Sequence, residues 1–294
     1  MLFKEWLKDD SKIILFDGAM GTEIFKRGVK PRILPDLINI KQPDIIVDIF
    51  KAYYDAGSDM CQTCTFSSSQ INLQKHDLEE KIKLINEKAL ENIKTACLPG
   101  RLIVGDIGPS GEFRPPIGSA SPDQWYSSFR GQAEILEQGV DLWHIETVSD
   151  IEEMVTAIRA IKEVSKKPII SSMTYKNTKR GHFTIMGDSL EKCINAMEQE
   201  NVDVIGSNCS LGSGDMIDVV KEMKNFTDKP LSAKPNAGLP RVIDAGKTVY
   251  DQPVADFVSD IKQMIDLGVK IVGGCCGTSP ETINEIRKLI DSFL

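Results

Sequence analysis

Three cysteines carry the strongest chemical signal in this 294-residue chain. Cys275 and Cys276 are adjacent in the run Gly273-Gly274-Cys275-Cys276-Gly277-Thr278, and Cys209 lies upstream in Asn208-Cys209-Ser210. Neighbouring thiols between glycines fill a core poorly, but they can place two thiolates on one ion. With Cys209 they make a three-sulfur set, and three protein ligands plus an open position is the arrangement a catalytic zinc uses. Thiolates favour zinc or copper(I) over hard ions, and zinc suits chemistry without redox change. A single such cysteine would read as a small buried hydrophobe. Three converging on one face read as ligands. The matching chemistry is activation of a thiol: a free thiol, with a pKa of about 8.5, is only a few per cent thiolate at pH 7, and coordination deprotonates it.

The elements that must position these sulfurs follow from the apolar pattern. Short, unalternating runs recur at Ile13–Phe16, Asp59–Phe66, Leu102–Gly105, Leu142–Ile145, Pro168–Met173, Val202–Gly206, Pro230–Lys234 and Val269–Val272. Such runs fit parallel strands covered on both faces. Helical spacing fills the gaps, as in Leu78, Ile82, Ile85, Ala89 and Ile93, or Ile151, Met154, Ile158, Ile161 and Val164. Residues 43–56, 122–138, 188–200, 213–225 and 254–267 supply further helices, and Ser279-Pro280 opens a last one. This alternation, without a Pro/Gly/Ser-rich linker, predicts one (β/α)8 TIM barrel over residues 1–294. An open doubly wound sheet is disfavoured, because no Gly-x-Gly-x-x-Gly turn follows the first strand.

Barrel chemistry sits at the carboxyl ends of the strands. Those ends read Asp17-Gly18-Ala19-Met20-Gly21-Thr22, Thr63-Cys64-Thr65-Phe66, Gly105-Asp106, Glu146-Thr147, Met173-Thr174-Tyr175, Asn208-Cys209-Ser210, Lys234-Pro235-Asn236 and the double-cysteine run. All are small, polar or sulfur-bearing. Thr63, Cys64 and Asp106 are pocket candidates left open at this level. Cys61, Cys97 and Cys193 read as packing. His144 points the same way as Glu146 and reads as a structural histidine; Lys234 should pair with a carboxylate, and His76 and His182 fall outside strands. Glu146 either caps the following helix or faces the barrel mouth, and the second placement is favoured beside Asp17. The long stretches 109–122 and 176–188 lie on the same face, as surface loops or as a docking surface.

Composition bounds the rest. A net charge of −8, with no basic cluster, argues against a nucleic-acid binder. The first ten residues lack a signal-peptide core and no apolar run reaches membrane length, so the expected location is the cytoplasm. Seven cysteines in such a chain suggest thiols or metal ligands rather than a disulfide framework.

The Asp17–Thr22 opening, Asn208-Cys209-Ser210-Leu211-Gly212, Pro235-Asn236-Ala237-Gly238-Leu239-Pro240 and the Gly273–Thr278 run together resemble the homocysteine S-methyltransferase family, closest to the homocysteine-binding module of cobalamin-dependent methionine synthase. The resemblance spans nearly the whole chain. It implies a zinc enzyme with Cys209, Cys275 and Cys276 as ligands, and an amino-acid substrate held by Asp17, Gly18, Ala19 and Thr22. Glu146 would receive the ammonium, with Asn208 and Asn236 at the rim. Where the family shows Thr-Asn-Thr-Phe, this chain has Thr63-Cys64-Thr65-Phe66. The implied step is in-line displacement of a methyl group by the activated homocysteine sulfur, the product thioether being a weaker ligand that can depart. No Asp-x-His-x-x-Gly signature for cobalamin is present. The methyl group is therefore expected to arrive on a separate corrinoid protein or on a free small donor, and the likeness to methionine synthase modules favours methylcobalamin on the corrinoid protein. Rival expectations are a free small donor, such as S-methylmethionine or betaine, acting on homocysteine or another thiol, and a non-catalytic zinc-binding protein.

Overall fold

The computed structural model describes residues 2–243 and 247–293. Eight parallel strands form one sheet: β1 (Ile14–Leu15), β2 (Met60–Gln62), β3 (Leu102–Ile107), β4 (Leu142–Val148), β5 (Ile169–Met173), β6 (Val204–Gly212), β7 (Leu231–Asn236) and β8 (Ile271–Val272). Their order is sequential around the sheet, with β8 beside β1. A parallel bridge from Phe16 to Met60 joins β1 to β2 and closes the circuit. This is the expected (β/α)8 barrel.

Helices predicted from periodicity occupy the gaps, including Pro43–Asp55, Ile82–Ala96, Ile151–Val164 and Pro280–Asp291. Their starts have local causes. The Ser279 side chain accepts from the Thr282 amide while the Thr282 side chain answers the Ser279 amide, and Pro280 follows at the first turn. Asp150, not Glu146, caps Ile151–Val164 by accepting from the Glu152 amide. That removes the capping role from Glu146. Cys97 stands just past the end of its helix rather than inside it.

Strand alternation sorts the core into two layers. Outward residues such as Ile103, Trp143, Ile145, Ile169 and Ile205 pack under the helices, together with Cys61, Cys64 and Cys193. Inward residues Ile14, Phe16, Met60, Leu102, Val104, Leu142, Ile170, Val204 and Ile271 fill the barrel. The opening helix Leu2–Lys8 belongs to this inner layer, for Phe3 is buried among these side chains and plugs the amino-terminal end. Nothing in the residue pattern announced that plug.

Carboxylates tie the same end together. Asp59 Oδ2 accepts from the Leu15 amide at 2.9 Å, Asp141 Oδ2 from the Ile103 amide at 2.8 Å, and Asp203 Oδ2 from the Ile169 amide at 3.0 Å. Each aspartate precedes one strand and holds the start of its neighbour. Asp59 also pairs with Lys12, Arg101 and Arg287.

At the opposite end the loops are elaborated. The stretch 176–188, expected as a surface loop or a docking surface, contains a β-hairpin pairing Lys176–Thr178 with Gly181–Phe183, and a second hairpin pairs Arg241–Ile243 with Lys247–Val249. His182 thus lies within a strand, and its Nδ1 stands 2.6 Å from Glu222 Oε2. Among the described residues no helix is long and apolar enough to cross a membrane.

Candidate active site

The sulfurs of Cys209, Cys275 and Cys276 lie within 4.8 Å of one another, with Cys209 and Cys276 4.0 Å apart. A tetrahedral site with zinc–sulfur bonds of about 2.3 Å places its sulfurs about 3.8 Å apart, so this donor set fits a zinc ion in both chemistry and spacing. Hydrogen bonds from Cys209 and then Cys275 hold the Cys276 thiol below the ordinary range; contacts with Cys209 and Cys276, then burial, push Cys275 up. Tyr250 stands against this group, its hydroxyl pKa raised by burial and by Cys276.

Local backbone aims the sulfurs. Cys209 and Ser210 both adopt the left-handed region, at φ 56° and 58°, within a register shift between Asn208 and Gly212. A bulge of this kind turns a strand's side chains out of the regular alternation. The double-cysteine run is stitched to the Asp17–Thr22 turn. The Gly274 amide donates to the Asp17 carbonyl, the Ala19 amide to Thr278 Oγ1, and the Gly277 amide to Thr22 Oγ1. A Cβ on Gly274 would lie 2.4 Å from Thr278 Oγ1, and one on Gly18 would lie 2.7 Å from it. These two glycines are required by close approach.

Below the sulfurs lies a buried polar cluster. Glu146 is 5% exposed, with Oε1 accepting from Gln62 Nε2 at 2.8 Å and Oε2 from Asn208 Nδ2 at 2.9 Å. Asn208 Nδ2 is also 3.9 Å from the Cys275 sulfur, so one amide joins the carboxylate to the sulfur group. Among the described residues, Asp106 is buried with Oδ1 unpartnered, and Asn236 Oδ1 is likewise unpartnered. Burial raises the pKa of both Asp106 and Glu146, and their mutual proximity adds to it for Asp106. Asp106, His144 and Glu146 form a second group close enough for an ion. Both His144 nitrogens, however, already meet Gln62 Oε1 and Ser172 Oγ at 2.9 Å, and burial followed by the Lys234 charge lowers its pKa. A neutral, doubly bonded imidazole beside a lysine is a poor cation ligand.

Asp17 is placed differently from what its sequence position suggests. Its Oδ1 accepts from Lys234 Nζ at 2.9 Å and its Oδ2 from the Gln62 amide at 2.8 Å, so both carboxylate oxygens are engaged. Lys234 therefore pairs with a carboxylate, as expected. Thr63 Oγ1 meets Thr65 Oγ1 and accepts from the Asp106 amide, bracing two strand ends. Cys64 packs in the sheet–helix layer, where burial pushes its thiol pKa up. Gln62, Ser172 and Tyr250 escaped the sequence reading. Gln62 had one usable signal, a polar residue two positions after the inward Met60.

A family model described as homocysteine S-methyltransferase matches residues 14–290. The methionine synthases of Mycobacterium leprae (strain TN) and Mycobacterium tuberculosis (strain ATCC 25618 / H37Rv) are each 27% identical over 95% of this chain, covering 24% and 25% of their own lengths. The chain thus spans about a quarter of those relatives. The metallated form of the homocysteine methyltransferase MmuM from Escherichia coli superposes with a TM-score of 0.82 at 22% identity, covering 98% of this chain and all of that one. With the family model matched from the first barrel strand to the last helix, this chain belongs to the homocysteine S-methyltransferase family.

Proposed function

We propose that this chain is a single homocysteine-binding barrel domain that transfers a methyl group to homocysteine, giving methionine. The observation that carries the reading is the meeting of Cys209, Cys275 and Cys276 directly above a buried carboxylate cluster. Those three residues would hold zinc, which when bound supplies a low thiol pKa and an electron-rich sulfur. Only three residues form the sulfur group among the described residues, which favours a working site over a closed structural one.

The chain's own residues do the remaining work. Glu146 offers its charge to the substrate ammonium, and Asn208 fixes the distance from that carboxylate to the sulfurs. The Asp17, Gly18, Ala19 and Thr22 turn supplies backbone beside the double-cysteine run, with the Asp17 side chain acting inside the framework. Asn236 holds a buried amide oxygen with no partner among the described residues.

For the donor, we favour methylcobalamin carried by a corrinoid protein. Phe113, Ile117, Ile185, Leu239 and Val242 are exposed apolar side chains, and all belong to loops at the carboxyl ends of β3, β5 and β7. Strands β5 and β7 flank β6, which bears Cys209. Exposed apolar groups on loops around a mouth suit a protein partner better than a free small donor. Methyl transfer from a methylcobalamin-loaded corrinoid protein, S-methylmethionine and betaine, assayed in parallel with homocysteine, tests this. Turnover with only the small donors would reject the corrinoid, and no turnover with any donor in the zinc-loaded protein would leave a zinc-binding role.

A further inference from the structure

Gln62 occupies the centre of the buried cluster, and every polar atom of its side chain is used. Oε1 accepts from Lys234 Nζ at 3.0 Å and lies 2.9 Å from His144 Nδ1, while Nε2 donates to Glu146 Oε1 at 2.8 Å. The two ends of a side-chain amide differ only in whether they give or take a proton, so the neighbours decide its orientation. Lysine can only donate. The end facing Lys234 must therefore be oxygen, and the end facing Glu146 must be the NH2. His144 obeys the same constraint, with Nδ1–H donating to Gln62 and Nε2 accepting from Ser172 Oγ.

Lys234 is itself fixed. It is 2% exposed, donates to Asp17 at 2.9 Å, and sits 3.7 Å from the centre of the Phe16 ring. Asp17, Gln62 and the ring face account for its three N–H groups. A continuous path then runs from Asp17 through Lys234 and Gln62 to Glu146, and from Glu146 through Asn208 to the sulfurs. Asp17 also grips the Gln62 backbone amide.

We infer that Gln62 is a positioning residue for homocysteine recognition, its amide set by Lys234 so that Glu146 presents its carboxylate to the substrate ammonium. This rests on the proposed homocysteine reading. It adds the origin of amino-group selectivity, which lies in a residue that does not touch the substrate. Asp17 contributes to the ammonium site indirectly, by holding Lys234.

The test is calorimetric binding of homocysteine and of 4-mercaptobutyrate, the same thiol without its amino group, to the zinc-loaded protein. Wild type should prefer homocysteine. In Gln62→Met, which removes the amide, and Gln62→Glu, which turns an acceptor toward Glu146, homocysteine affinity should fall about tenfold or more while 4-mercaptobutyrate changes less than about twofold. Lys234→Met, which frees the amide to turn, should shift the ratio the same way. Folded variants that keep the wild-type ratio, or weaken both ligands equally, overturn the inference. Variants that fail to fold assign Gln62 to the framework and overturn it too. A wild type that does not distinguish the two thiols refutes the homocysteine reading itself.

Discussion

The two ends of this barrel treat buried carboxylates in opposite ways. At the amino-terminal end Asp59 is surrounded by Lys12, Arg101, Arg287 and the Leu15 amide, so its charge is fully answered from within the chain. At the carboxyl end Asp17, Asp106 and Glu146 share, among the described residues, one buried cation, Lys234, which of these three carboxylates pairs directly with Asp17. Asp106 retains an oxygen with no partner among the described residues. Burying a charge is tolerable only when it is paired. The first end is therefore built for stability, and the second is left short of one positive group. A substrate ammonium would supply that group.

The sharpest way to break this contrast is to remove a sulfur. Cys209→Ala, Cys275→Ala or Cys276→Ala should reduce bound zinc from about one ion per chain to near zero and abolish methyl transfer, while leaving circular dichroism unchanged. Elemental analysis and turnover check it; a variant with full activity after chelation rejects the zinc mechanism. Next in size, Asp59→Ala strands three cations and a buried amide, and should cost about 3 kcal/mol in urea unfolding with homocysteine affinity intact.

Glu146→Gln tests the other end and should separate function from stability. The homocysteine KM should rise about tenfold. Chemical denaturation of the metal-free protein should show equal or slightly higher stability, since a buried like charge beside Asp106 is gone. The pH dependence has a definite sign. Burial raises the Glu146 pKa above the carboxylate value of 4.5. The folded state then binds more protons than the unfolded one, so this group's contribution is complete below pH 4.5 and is lost as pH rises through its folded pKa. Glu146→Gln should flatten that slope. The smallest effect belongs to Ser279→Ala, which removes a helix cap just past the double-cysteine run and should cost about 1 kcal/mol.

Much of the framework was legible because barrel strands and helices are written in local periodicity. The runs at Leu102–Gly105 and Leu142–Ile145 became β3 and β4, extended by Asp106-Ile107 and Glu146-Thr147-Val148. The sulfur trio was legible because cysteines flanked by glycines have few structural uses. What escaped were relationships between distant residues. Gln62 is an unremarkable strand residue until Lys234 and Glu146 arrive from across the barrel. Asp17 looked available to a ligand because its partner lies 217 positions away. The Phe3 plug and the two hairpins rest on packing and turn geometry rather than on a strong local signal.

The kinks in β4 and β6 have one more consequence. Thr147 at φ 62° and Cys209 at φ 56° both sit where strand registers slip, and Asn208 bonds across to the Thr147 amide and hydroxyl. A β-branched residue held there is uncommon and unfavourable on its own. The cross-bond makes each distortion the other's brace, so transplanting the cysteine motif onto another barrel without its threonine and asparagine would deliver the sulfurs but not their aim.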